Sequence, residues 1–428
     1  MNILILTNTF TPHVGGVARS VEAFTADYRK RGHRVLIVAP EFPDMPLDEV
    51  DVMRISAIQK FNASDFSVAL PIHPQLGDAI DAFRPDIVHA QHPFLLGITA
   101  LRLARHRGLP LVFTHHTLYE QYTHYIPGDS PALKRFAIEL ATRYANLTNQ
   151  VFAPSESIRE LLQERGVTTP IAVVPTGVRL ESFAQGDGPA FRRQAGIPED
   201  ACVVGHLGRL APEKNLEFLG EAVADFMRGD SRAHFLVIGN GPSEQAIRDI
   251  FAGSGMEARL HIAGILQQQR LADALHAMDV FAFASTSETQ GMVLTEAMAA
   301  GLPVVALDAP GAREVVRDTQ NGRLLAQATP AAFSAALQWV VERPPEQLRE
   351  LKRAALATAG DFSIPRTADK ALACYEALVS GSSADAGSDE LRWEDVKTFM
   401  KTEWEILKSV AQASDAALGT SLFSETAD

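Results

Sequence analysis

The chain has 428 residues, 46% hydrophobic and 21% charged, which excludes a disordered protein and, at roughly 100–200 residues per domain, implies two or three domains. Its 39 Lys and Arg against 52 Asp and Glu give a formal net charge of −13. Residues 1–180 carry 17 basic and 17 acidic residues, so the remainder holds 39 − 17 = 22 against 52 − 17 = 35, an acidic balance that excludes a nucleic-acid binder and leaves any anionic ligand to local groups.

The opening MNILILTNTF has no basic flank or cleavage site, so it predicts a β-strand and not a signal peptide. Gly15 and Gly16 predict a turn, and VARSVEAFTADYRKRG an amphipathic helix ended by Gly32. HRVLIVAP, DIVHAQ, LPLVFTHH, NQVFAPS and IAVVPTGV predict further strands. A polar stretch, SFAQGDGPAFRRQAGIPED, then sets a domain boundary close to residue 182. Beyond it ACVVGHLG, HFLVIGNG, RLHIAGI, DVFAFAS, PVVALDA and GRLLA predict a second series of strands. Strands alternating with helices imply an α/β fold of two doubly wound parallel sheets, residues 1–182 and 183–363. A helix over 364–380 is expected to cross back to the first domain. The small-residue segment GSSADAGSDE follows as a linker within 381–428. The amphipathic pattern Leu391, Val396, Phe399, Met400, Trp404, Leu407 and Val410 predicts a last helix. It packs on its own domain or a second subunit, or rests on a membrane surface. No apolar run reaches the ~18 residues that span a bilayer. Cys202 and Cys374 show no metal-ligand spacing and fit a reducing compartment. The expected location is cytoplasmic.

DVFAFASTSETQGMVLTEAMAAGLPVV predicts a buried strand, a polar loop and a helix opened by Gly291. Ligands of open α/β sheets sit outside the carboxyl ends of strands, and helix N-termini favour anions. Gly291, Met292 and Val293 are therefore candidates to hold a phosphate. Glu288 and Glu296 flank them and suit the vicinal hydroxyls of a ribose or a hexose. GHLGRLAPEKN adds Arg209 and Lys214, cations able to bind a diphosphate and to stabilise it as a leaving group. Taken singly, each of these four reads equally well as a surface charge. No D-x-D pattern is present, so no metal is expected and no cofactor is required beyond the nucleotide-sugar substrate.

The pair Glu288 and Glu296 in ETQGMVLTEAMAAGLPVV, with GRLAPEKN upstream, resembles the retaining family-4 glycosyltransferases of GT-B fold, over roughly residues 1–380. The resemblance implies two Rossmann-like domains facing a central cleft. By it, Arg209 and Lys214 bind the donor diphosphate, Glu288 the transferred sugar and Glu296 the ribose. The amides around Gly291–Val293 hold phosphate and sugar, and Gly15 and Gly16 match the glycine loop. His116 matches the histidine near the reacting sugar; His115 reads as structural, and Gly239 and Gly241 as turn glycines. THHTLYEQYTHYIP is similar to a segment of diacylglycerol glucosyltransferases. That likeness places Tyr119, Glu120, Tyr122, His124 and Tyr125 on the acceptor side. Asn8 departs from the acidic residue common in the first-strand turn. Arg102, Arg105, Arg107, Lys134 and Arg135 form a basic cluster able to meet anionic lipid on the inner face of the membrane. The implied reaction moves a hexose, glucose from UDP-glucose, to a lipid hydroxyl such as diacylglycerol. Transfer to a glycan or another acceptor is the alternative. A sugar-nucleotide epimerase of the same architecture follows at a distance, as does a non-catalytic binder. A nicotinamide-dependent dehydrogenase is disfavoured because Gly15 and Gly16 do not form a G-x-G-x-x-G.

Overall fold

The computed structural model describes residues 1–13, 15–46, 48–58, 68–69, 76–121 and 130–382, with Glu405 and Ser409. Tyr122, His124 and Tyr125 lie outside these residues, as does all of the expected C-terminal helix but those two. The chain divides into two compact units, one of Met1–Pro175 with the chain from Thr367, the other of Thr176–Arg366. The division falls before the polar stretch that set the boundary near 182. Thr176 is held within the second unit, where Gln290 Oε1 accepts from its amide (2.6 Å) and Gln290 Nε2 donates to its carbonyl (2.7 Å).

In the first unit the strands are β1 (Asn2–Leu6), β2 (Arg34–Pro40), β3 (Val52–Ile55), the short β4 (Ala57–Ile58) and β5 (Val68–Ala69), β6 (Ile87–Ala90), β7 (Leu111–Thr114), β8 (Gln150–Ala153) and β9 (Ile171–Val173). The helices are α1 (Gly16–Lys30), α2 (Leu76–Phe83), α3 (Leu96–His106), α4 (Pro131–Asn146) and α5 (Glu156–Glu164). Seven strands form one sheet in the order β3-β2-β1-β6-β7-β8-β9, and β4 pairs with β5 apart from it. The ladder is parallel, with Leu4 opposite Leu36 on one side and Val88 on the other. Strands covered on both faces are apolar on both, which is why Ile3, Leu4, Ile5 and Leu6 are all buried. Leu4, Leu6, Val88 and Phe113 belong to one core, and Ile3, Ile5, Val35 and Phe152 to the other.

The second unit carries α6 (Gly188–Ala195), β10 (Cys202–Leu207), α7 (Leu216–Gly229), β11 (Ala233–Ile238), α8 (Glu244–Gly253), β12 (Leu260–Ile262), α9 (Gln268–His276), β13 (Val280–Phe283), α10 (Met292–Ala299), β14 (Val304–Leu307), β15 (Gly322–Leu325), α11 (Pro330–Val341) and α12 (Pro345–Asp361). Its six-stranded parallel sheet runs β12-β11-β10-β13-β14-β15. The final helix, α13 (Ile364–Ser382), begins here and continues in the first unit. There Ala368, Ala371, Leu372 and Tyr375 complete the second core. Tyr375 also fixes a buried histidine, its hydroxyl 2.6 Å from His89 Nδ1 while His89 Nε2 meets Thr114 Oγ1 at 2.7 Å. Among the described residues no helix is long and apolar enough to cross a membrane.

Each sheet reverses its strand order once, between β1 and β6 and between β10 and β13. Loops leaving adjacent strands on opposite sides of such a reversal diverge and open a crevice, the usual ligand position in open α/β sheets. The residues singled out from the sequence follow these strands.

Candidate functional site

In the second unit the loop after β10 carries Arg209 and Lys214, and the loop after β13 carries Glu288. β10 and β13 are hydrogen-bonded neighbours, although β11 and β12 intervene in sequence. That pairing brings Lys214 Nζ to 2.5 Å from Glu288 Oε1, with both side chains largely buried. Arg209 stands on the same loop with its side chain 44% exposed, and its guanidinium is held by Glu213. Burial alone would raise the Glu213 pKa, but its own amide and Arg209 outweigh it, and the carboxyl sits below its ordinary range. Two serines brace the loops: Ser287 Oγ donates to the Glu213 carbonyl at 3.0 Å, and Ser285 Oγ reaches it at 3.4 Å. Asn215 stands at the N-cap of α7 but does not cap it through its side chain. It adopts φ 55° and donates from Nδ2 to the Ala284 carbonyl at 3.3 Å, a third tie between the two loops.

Gly291 is the N-cap of α10 and takes a left-handed φ of 69°, so the helix starts at Met292. The amides of Met292 and Val293 fall in the first turn, where helical N–H groups lack intrahelical acceptors. Glu296 lies one turn further on, and helical side chains lean toward the N-terminus. It is 7% exposed, which counts against the alternative of a surface charge. Gly311, not singled out from sequence, backs this loop with φ 82°. A Cβ there would stand 2.8 Å from the Glu288 Cβ and 2.9 Å from the Gln290 carbonyl carbon. Gly239 and Gly241, after β11, also have positive φ, and their Cβ atoms would lie 1.8 Å and 2.4 Å from the carbonyls of Gly208 and Leu210. They are packing glycines that let one loop lie against the cation loop.

In the first unit the carboxyl ends of β1, β6 and β7 bear the remaining candidates. Gly15 is the N-cap of α1 and Gly16 its first residue. A Cβ on Gly15 would lie 3.2 Å from His13 Nε2, a close approach to the tip of one side chain. Asn8 is buried and makes three local bonds. Its amide donates to His92 Nδ1 (3.1 Å), its Oδ1 accepts from the Leu96 amide (3.1 Å), and its Nδ2 donates to the Phe94 carbonyl (3.1 Å). A carboxylate could accept from Leu96 but not donate to Phe94, which accounts for asparagine at this position. The bond from the Asn8 amide also makes His92 Nδ1 an acceptor, so the proton of the neutral ring sits on Nε2. Burial lowers the His92 pKa to about 3.

His116 is half-buried, with Nε2 2.7 Å from Gln91 Oε1. Burial, followed by the neighbouring His92, His89 and His115, depresses its pKa well below the ordinary value. His115 is fully buried, its pKa lowered by burial to about 4. Tyr119 packs edge-on against Phe94 (5.4 Å) and His115 (5.5 Å). Glu120 is paired with Arg165 at 2.6 Å, so its carboxylate is already engaged. In the basic cluster Arg107 pairs with Asp81 at 2.7 Å and Arg105 donates to the Leu147 carbonyl at 3.0 Å, which leaves it less open than its charge count implies. Gln91, His92, Gly311 and Glu213 went unnoticed in the sequence. Only the strand-end position of the first two gave a signal.

The comparisons with known proteins agree with this fold. Residues 14–182 match the model described as Glycosyltransferase Family 4, and residues 187–357 that described as Glycosyl transferases group 1. A D-inositol 3-phosphate glycosyltransferase of Geodermatophilus obscurus is 34% identical, over 70% of this chain and 68% of that one. An alpha-monoglucosyldiacylglycerol synthase of Streptococcus pneumoniae is 29% identical, over 76% of this chain and 75% of its own. The crystal structure of Anabaena HepE in complex with UDP-glucose superposes with a TM-score of 0.70 at 20% identity, covering 88% of this chain and all of that one. With two parallel-sheet units and cation and carboxylate loops converging at the strand-order reversal of the second, the chain belongs to the family-4 glycosyltransferases of GT-B fold and is a hexosyltransferase.

Proposed function

We propose that the protein transfers glucose from UDP-glucose to the hydroxyl of a lipid such as diacylglycerol, with retention at the anomeric carbon. The observation that carries the donor half is the contact of Lys214 with Glu288, made between neighbouring loops of which one also carries Arg209 and the other leads into the N-terminus of α10. Arg209, Lys214 and the amides of Met292 and Val293 would bind the diphosphate, Glu288 a hydroxyl of the hexose and Glu296 the ribose. As the bond from C1 to the phosphate oxygen breaks, its electron pair passes to the diphosphate. The two cations and the helix terminus stabilise that charge without a metal. The acceptor oxygen bonds to C1 on the face the phosphate leaves, and its proton passes to a phosphate oxygen. Among the described residues no carboxylate is identified as a nucleophile for the opposite face.

On the first unit, His116 is held by Gln91 and kept neutral by burial, and so suits a hydrogen bond to a sugar hydroxyl. Tyr119, packed against the adjacent His115, would contribute to the acceptor side. The lipid acceptor draws its support from the resemblance of THHTLYEQYTHYIP and from the similarity to a monoglucosyldiacylglycerol synthase. A peripheral position on the inner face of the cell membrane would follow from it. The likeness to an inositol 3-phosphate glycosyltransferase favours a small polar acceptor as the second reading.

The test is a screen of UDP- and GDP-sugars for a rise in unfolding temperature, since at equal concentration the ligand of higher affinity stabilises more. Turnover with diacylglycerol in vesicles follows, with the anomeric configuration of the product read by NMR. The expected outcome is stabilisation by UDP-glucose and an α-glucolipid. Stabilisation by no nucleotide sugar, or an inverted product, would overturn the proposal.

A further inference from the structure

The loop between β13 and α10 is tied to more than the cation loop. Gln290 stands in it between Glu288 and Gly291, and is 4% exposed. Its side-chain amide meets a single backbone residue with both of its functions. Oε1 accepts from the Thr176 amide at 2.6 Å, and Nε2 donates to the Thr176 carbonyl at 2.7 Å. Thr176 is the residue at which the chain enters the second unit, and Arg366 the one at which it leaves. Two residues past the entry, the Val178 amide donates to the Phe362 carbonyl (2.8 Å) and the Ile364 amide donates to the Val178 carbonyl (3.2 Å). This is a parallel bridge centred on Ser363. Entry and exit segments are thus fastened to each other, and Gln290 fastens the entry to the loop that presents Glu288 and Gly291.

One hydrogen bond leaves a pivot, whereas two to the same residue fix both place and direction. Both bonds are buried, so water does not replace them, and opening the clamp would strand a donor and an acceptor on each side. The loop is confined on another side by Gly311, where a Cβ would stand 2.9 Å from the Gln290 carbonyl carbon. It therefore cannot shift by much without breaking the clamp or carrying the entry segment with it. Methionine would fill the volume of Gln290 but bond to neither group of Thr176.

Resting on the donor reading above, we propose that Gln290 is a positioning residue that holds Glu288 and Gly291 in their donor-binding arrangement by clamping Thr176, so that donor bound at the loop and order at the entry segment reinforce each other. Such a coupling is reciprocal: whatever factor the donor adds to the closure of the clamp, the closed clamp adds to donor affinity.

The experiment follows hydrogen–deuterium exchange at the Thr176 amide with and without saturating UDP, in wild type and in Gln290→Met, beside calorimetric titration of UDP into both. The amides of β12 serve as the reference for protection that spreads through the whole unit. In wild type UDP is expected to slow exchange at Thr176 about tenfold beyond that reference, and Gln290→Met is expected to bind UDP about tenfold more weakly, one coupling read from either end. Exchange at Thr176 in Gln290→Met is expected to be fast and indifferent to UDP. A side chain that merely filled the core would move the urea midpoint of the variant and leave its UDP affinity alone. Wild type that binds UDP without protecting Thr176 overturns the inference and leaves the donor reading standing, and this arm decides even if Gln290→Met fails to fold. A folded Gln290→Met with wild-type UDP affinity also overturns it. A wild-type protein that does not bind UDP overturns both.

Discussion

Gly311→Ala tests whether the Glu288 loop is held in place by backbone contact. Gly311 has φ 82°, and an added Cβ would stand 2.8 Å from the Glu288 Cβ, 2.9 Å from the Gln290 carbonyl carbon and 3.0 Å from the Gly291 nitrogen. The left-handed conformation costs a β-carbon about 1–2 kcal/mol. Displacing close-packed atoms adds about 1–3 kcal/mol. The clash falls on the loop that presents Glu288 and Gly291, so the displacement passes directly to the proposed donor site. A shift approaching 1 Å in a positioning group costs about 100-fold in rate. The expected outcome is a stability loss of about 2–5 kcal/mol by urea unfolding and a fall of about 100-fold in kcat/KM for the donor. Gly301→Ala is the control. Its φ of 80° carries the same conformational cost, but the nearest atoms to its Cβ are side-chain carbons of Leu356 at 3.8 Å or beyond. It should lose about 1–2 kcal/mol and keep wild-type turnover. Gly311→Ala with the stability and kcat/KM of Gly301→Ala would refute the reasoning.

Lys214→Ala removes the cation bound to Glu288 and should lower kcat about 100- to 1,000-fold, the scale of losing one electrostatic stabiliser of a leaving group; steady-state kinetics at saturating donor would check it. Asn8→Asp forfeits the bond to the Phe94 carbonyl and sets a carboxylate against it, so unfolding at pH 7 should show a loss of about 1–3 kcal/mol. That deficit relative to wild type should shrink as the pH falls and the new carboxyl becomes a donor. Acid should destabilise the protein well above the carboxylate range. His89 and His92, with pKa lowered to about 3 by burial, and His115 and His206, at about 4, stay neutral in the fold. Above pH ~6.5 the unfolded chain is neutral there too, and their contribution is complete. As the pH drops from 6.5 toward 4 only the unfolded chain takes up protons, and stability falls by up to about 1.4 kcal/mol per pH unit per histidine. A urea midpoint flat between pH 7 and 4.5 would contradict this.

The sheet strands rich in β-branched residues were legible because parallel strands buried on both faces are continuous apolar runs. β3 was missed because Val52–Ile55 is only partly buried and includes Arg54, which bonds to Glu49 at 2.6 Å. The separate β4 and β5 are two residues each, too short to show a period. Lys214 and Glu288 were legible by type and loop position, but not as partners 74 residues apart, since only strand order makes β10 and β13 neighbours. For Glu296 the sequence left a ribose contact and a surface charge equally open, because neither acidity nor spacing shows which face of α10 is covered. Gln91 showed no more than its strand-end position, and Gly311 nothing. One acts through a single hydrogen bond to His116, and the other through the absence of a Cβ.

The central claim is that the two cations and the tip of α10 meet one diphosphate. Calorimetric titration of UDP and of uridine, into wild type and into Arg209→Ala and Lys214→Ala proteins, tests it most directly. The account predicts that wild type binds UDP at least 100-fold more tightly than uridine, and that each substitution erodes this preference while uridine affinity stays constant. Equal affinity for UDP and uridine in wild type, or a preference that survives both substitutions, would contradict it.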